Sequence, residues 1–102
     1  PTFSYLGNFT ISDTVFRQIM EYLAEKMPEI YKVIRIRATN SPEGPSIYME
    51  ITVMYGCNIR KVLSEFKNKA RKEVEKLTAM NIVSLDVVAK NVYIPEKSKE
   101  ES

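Results

Sequence analysis

Histidine is missing altogether from this chain of 102 residues. That absence removes histidine-based catalytic triads, most zinc sites and the usual general base near neutral pH. Cysteine occurs once, at Cys57, so no disulfide can form within the chain, which fits a reducing compartment. The three glycines stand far apart at positions 7, 44 and 56. No phosphate-cradling loop, dinucleotide fingerprint or Gly-x-x-Gly nucleic-acid clamp can be built from them. Asp13 and Asp86 are the only aspartates, and the glutamates spread over helix surfaces and the C-terminal stretch, so nothing marks a converging carboxylate pair. No apolar run approaches the ~20 residues that a membrane span needs. The opening PTFSYLGN has neither a basic start nor a long apolar stretch, so no signal peptide is expected. Without one, the glycosylation triplet Asn8-Phe9-Thr10 is read as chance. A net charge of +2 is too small to argue for nucleic acid by itself. Together these absences predict a protein that is not an enzyme, with no cofactor and no metal.

What is present is periodicity. Ile51 and Val53 alternate with Thr52 and Met54, the pattern of a half-buried strand. Gly56 stops that strand at a backbone angle that a side chain resists, and Asn58 is placed to cap a helix. Ile59, Val62, Leu63, Phe66, Ala70, Val74 and Leu77 then recur at helical steps, sharing an arc of about 120°. From Val83 the period returns to two. Ahead of this stretch, Ser12 or Asp13 caps a first helix with Val15, Phe16, Ile19, Met20, Leu23 and Met27 as its apolar positions, and Pro28 ends it. Val33 to Thr39 and Ile47 to Tyr55 read as strands joined by NSPEGPS, the composition of an exposed hairpin loop.

The predicted fold class is α+β: a small mixed β-sheet with two helices packed on one face, in the order β-α-β-β-α-β with a short first strand at residues 3–11. Size and an apolar fraction of 44% suit a single domain over residues 1–94, followed by a disordered polar tail at 95–102. A parallel crossover is expected to connect the last two strands. The helices should cover Ile34, Ile36, Ile47, Met49, Ile51, Val53, Val83, Leu85 and Val87. The opposite face then carries Arg35, Arg37, Tyr48, Glu50, Thr52, Ser84, Asp86 and Lys90, with a bulge or strand end near Lys90 and Asn91.

Two surfaces can bind something. Arg35, Arg37, Tyr48, Glu50 and Asp86 form a candidate protein contact, since tyrosine and arginine are favoured interface anchors. Arg60, Lys67, Arg71, Lys72 and Lys76 on the second helix form a candidate contact for phosphates or anionic headgroups. The same charges also suit a solvated helix laced with pairs such as Glu65–Lys69. Only Tyr48 is placed on the open face, short of the aromatic platform that RNA stacking usually needs. Cys57, just before the second helix with Arg60 and Lys61 close by, is the sharpest candidate for thiol chemistry, but packing is the reading adopted.

Gly7 with Ile11 and Ser12, then Tyr55, Gly56, Asn58 and Ile59, then the valine-rich run from Val83 to Val92 carry a resemblance. Over roughly residues 5–94 the chain resembles the alkaline shock protein family of Gram-positive bacteria, also called the YloU-like or envelope stress response family. Two turns depart from the pattern. Met27-Pro28-Glu29-Ile30 stands where relatives have a small-residue Pro-Gly-Val turn, and Thr78-Ala79 where they have Thr-Gly. The resemblance implies a non-enzymatic cytoplasmic protein of cell-envelope homeostasis that self-associates or docks on membrane-anchored partners, and so lies at the membrane when a partner holds it there. The alternative is a small RNA- or ribosome-associated domain using its basic helix.

Overall fold

The chain is described over residues 11–95 by a computed structural model. Helix α1 spans Asp13–Glu25, and Ser12 caps it, its hydroxyl accepting a 3.4 Å hydrogen bond from the Val15 N–H. Strands β1 (Ile30–Ser41) and β2 (Gly44–Met54) form an antiparallel hairpin. Helix α2 (Ile59–Thr78) crosses to β3 (Ser84–Tyr93), which lies parallel to β2. The sheet order is β1-β2-β3, so β2 is central and the sheet is mixed as predicted. The expected first strand and the polar tail fall on residues outside the described span, apart from Ile11 and Pro95.

The core lies between the helices and one sheet face. α1 contributes Phe16, Met20 and Ala24, α2 contributes Val62, Phe66, Ala70 and Val74, and β2 contributes Ile47, Met49, Ile51 and Val53. Steps of three and four residues keep each helical set on one face, and alternation does the same on the central strand. Leu77 and Ile59, the two ends of the expected α2 stripe, are exposed (57% and 38%). Val15 likewise lies exposed on the first turn of α1, whereas Ala24, absent from the expected stripe, is buried.

Two sheet assignments are corrected. Val33 opposes Ile51 and Arg35 opposes Glu50, so Ile34 is an extra residue in a bulge and is exposed rather than buried. Val83 precedes β3 and is exposed, its core place being taken by Ile82. Thr52, on the open face, is only 5% exposed. The bulge expected near Lys90 is present: Ala89 opposes Ile51, Asn91 opposes Thr52, and Lys90 has no opposite number.

The hairpin is tighter than the loop expected over NSPEGPS. Asn40 pairs with Pro45 and Ser41 with Gly44, leaving only Pro42 and Glu43 at the tip. Ser-Pro-Glu-Gly suits such a turn, with proline second and glycine fourth. The Ser41 hydroxyl closes it by donating a 2.7 Å hydrogen bond to the Gly44 carbonyl.

At its start, α2 is capped by Asn58, whose side-chain oxygen accepts from the Lys61 N–H at 3.2 Å, as expected. It ends at Ala79, which takes the left-handed conformation (φ 59°) usually left to glycine, its N–H donating to the Glu75 carbonyl. A Cβ there costs about 1–2 kcal/mol, of which glycine's larger unfolded-state entropy takes back about half. Ala79→Gly is therefore expected to stabilise the fold by up to about 1 kcal/mol, read as a rise in the urea midpoint. A fall in the midpoint would show that the methyl group contributes packing that outweighs its strain.

Candidate functional site

The sheet face away from the helices gathers the five predicted contact residues. Register sets Arg37, Tyr48 and Asp86 side by side across the three strands, and sets Arg35 beside Glu50 in the next open-face row. The Tyr48 hydroxyl donates to Glu50 Oε2 at 2.8 Å, and Arg35 Nε lies 3.8 Å from Glu50 Oε1. Glu50 is thus held from both sides, with its side chain only 14% exposed. That hydrogen bond, with smaller help from desolvation, raises the Tyr48 pKa above the ordinary tyrosine value, so the phenol stays a donor through the physiological range. Arg37 and Asp86 form no ion pair within 4.0 Å among the described residues, which leaves one cation and one anion flanking an exposed aromatic ring. Opposite charges this exposed add a fraction of a kcal/mol to stability, so fold maintenance is a weak account of them.

Two aromatic residues on this face escaped the sequence assignment. Tyr31 and Tyr93, from the two outer strands, stack with ring centroids 3.9 Å apart and planes at 6°. Strands β1 and β3 are separated by β2, so the rings meet across the central strand. Proximity to Tyr31 raises the Tyr93 pKa, because a second phenolate beside the first is unfavourable. Tyr93 was findable: once the bulge at Lys90 sets Val92 toward the core side, Tyr93 must face the other way. Tyr31 was not, since it precedes the strand expected from Val33 and is itself the extra residue between the Ile30–Val53 and Lys32–Thr52 pairs.

The five cations of α2 expected to meet anions, Arg60, Lys67, Arg71, Lys72 and Lys76, do not form one patch. Arg71 is committed within the fold: Nη1 donates to the Ile82 carbonyl at 3.1 Å and lies 3.7 Å from Glu75 Oε2. Glu75 in turn accepts from the Ile82 N–H at 2.9 Å, so the pair clamps both sides of one residue in the segment leading to β3. Arg60 and Lys67 border a groove between α2 and β3, whereas Lys72 and Lys76 are solvent-exposed on α2 and do not line it. Cys57 is half-buried against the core, as the packing interpretation anticipates, and shares a shallow depression with Glu29, Lys61 and Glu65. Among the described residues no group of three or more His, Cys, Asp and Glu side chains is placed to hold a metal ion, and no helix is long and apolar enough to cross a membrane.

A mixed three-stranded sheet with two helices on one face and a charged, tyrosine-bearing surface on the other defines a small α+β domain. The family model of the alkaline shock protein 23 family, with a cell envelope-related function, matches residues 34–94, and the chain belongs to that family. The matched span takes in most of β1 and all of β2, α2 and β3. Among solved structures, a point variant of the MamM CTD superposes with a TM-score of 0.64 at 19% identity, covering 79% of this chain and 94% of that one. A nickel form of that domain gives 0.55 at 22% identity, covering 76% and 96%. A cadmium form gives 0.56 at 21%, covering 78% and 98%. At these identities the likeness is one of fold. No functionally curated protein matches the chain.

Proposed function

We propose that this chain acts without catalysing a reaction, as a docking domain in cell-envelope homeostasis, by self-association or by binding a membrane-anchored protein from the cytoplasmic side. The observation that carries this reading is the open sheet face, which holds Arg35, Glu50, Tyr48, Arg37 and Asp86 together with the Tyr31–Tyr93 stack. A flat surface with tyrosine and arginine at its centre suits a specific protein contact. Membership in an envelope-related family supports the setting. Three tyrosines on the sheet improve the case for base stacking over the sequence reading, but Glu50 and Asp86 lie among them and repel phosphate.

Arg35→Glu combined with Arg37→Glu is expected to leave the chain folded, since both side chains are exposed, with a lower melting temperature because the reversal sets a like charge beside Glu50. It should weaken self-association in sedimentation, or partner capture by crosslinking in cells, more than Lys72→Glu with Lys76→Glu does. Loss of the partner in the helix variant and its retention in the sheet variant would refute the assignment. Binding of RNA in a low-salt gel shift that falls steeply as salt rises would favour the RNA-associated alternative instead.

A further inference from the structure

Among the described residues the second edge of β3 is unpaired. The strand is ten residues long and pairs with β2 on one side, and among the described residues no strand lies on the other. Such an edge presents a row of unpaired N–H and C=O groups ready to accept another strand. Alongside it, β3 and the first half of α2 enclose a groove of about 550 Å³. Ile59, Leu63 and Val87 supply its apolar surface, Arg60 and Lys67 its charge, and no carboxylate lines it. Neither cation has an ion-pair partner within 4.0 Å among the described residues. Val92, on the core side of β3 opposite Val53, is 44% exposed, which leaves apolar surface uncovered along the same edge.

We infer that the β3 edge and the Arg60–Lys67 groove together receive an extended acidic segment of a partner protein, which adds a fourth strand to the sheet. Its backbone pairs with β3, its apolar side chains lie against Ile59, Leu63 and Val87, and its carboxylates meet Arg60 and Lys67. A second copy of this chain is the poorer occupant. Two-fold pairing of β3 edges brings the same basic flank of α2 together from both copies, with no carboxylate in the groove to compensate. This inference rests on the protein-docking reading above and adds to it a second contact surface and the chemistry of the segment it takes.

The test uses fluorescein-labelled Glu-Glu-Val-Val-Glu-Glu-Val-Val, which as a strand alternates glutamate and valine on each face, and the same peptide with lysine for glutamate. In fluorescence anisotropy the acidic peptide should bind and the basic one should not. Arg60→Glu with Lys67→Glu should lose about tenfold in affinity for the acidic peptide and gain binding to the basic one. Circular dichroism checks that the variant is folded. Amide exchange in residues 84–93 should slow when the acidic peptide is added. Three results overturn the inference: no preference for the acidic peptide, undiminished binding by the groove variant, or protection that appears on the open sheet face instead. Concentration-dependent protection of β3 without peptide, together with a dimer in sedimentation, would assign the edge to a second copy and overturn it as well. If partner capture depends on Arg35 and Arg37 while the peptide fails, the docking reading survives and only this inference falls. Peptide binding without any effect of either variant pair on capture would sink the docking reading and leave the groove chemistry standing.

Discussion

Truncating Phe66 to alanine is expected to destabilise the fold by roughly 3–5 kcal/mol, the range for buried aromatic residues. Phe66 is fully buried in the middle of α2, in the core cluster that includes Phe16 and Met20 of α1 and Met49 and Ile51 of β2. Helix α2 is polar on its outer face, so its adherence to the sheet depends on four buried side chains, of which Phe66 is the largest. A domain of this size is stable by only about 5–15 kcal/mol, so one such loss removes a large share of the margin. Leu63→Ala, one turn away and half-buried, should cost clearly less because part of its surface already meets water. Guanidinium unfolding monitored by circular dichroism gives both values. A loss below about 1 kcal/mol for Phe66→Ala would mean that the helix presents a different face to the core.

The ability to name Phe66 in advance shows where sequence is informative. Amphipathic periodicity over twenty residues averages out single exceptions, so the face of α2 survives the errors at Ile59 and Leu77. Caps are local, and Ser12 and Asn58 act where their side chains can reach the first free N–H groups. The hairpin is a harder case. NSPEGPS has a loop's composition, yet only two of its residues form the turn, since pairing of Asn40 with Pro45 depends on a partner strand and not on local preference.

The open face was half legible for a related reason. Arg35, Arg37, Tyr48, Glu50 and Asp86 follow from alternation in three strands, and the strand register then makes them neighbours. A bulge shifts that alternation by one residue, and a period of two offers no second signal by which to recover the phase. Ile34 sits at such a shift in β1 and was lost to it, whereas Tyr31 lies ahead of the Val33 at which the strand was expected to begin. The groove beside β3 left no pattern in sequence either. It arises because α2 covers one end of β3 better than the other, which is a fact of helix length and crossing and not of residue type.

Gly44 is the position where a single added carbon should do the most local damage. It opens β2 immediately after the hairpin turn, is buried, and holds φ at +137°, a conformation that side-chain-bearing residues rarely adopt. An added Cβ would overlap the Asn81 carbonyl oxygen, which is backbone and cannot rotate away as a side chain could. That contact is fixed from both directions. The Val83 N–H donates to the Pro45 carbonyl at 2.8 Å, and the Arg71–Glu75 pair holds Ile82, so the segment before β3 is pinned against the start of β2. Relief would require moving this segment and giving up some of those hydrogen bonds. Backbone strain and overpacking together predict a loss of roughly 3–5 kcal/mol for Gly44→Ala. Gly56, the glycine that sequence marked as constrained, has φ of +97° but open space where a Cβ would stand. Gly56→Ala should therefore show the conformational cost alone, about 1–2 kcal/mol. Denaturant midpoints of the two variants measured side by side test the ordering. Equal losses would indicate that the Asn81 segment yields to the new methyl group, and that the junction between α2 and β3 is softer than its hydrogen bonds imply.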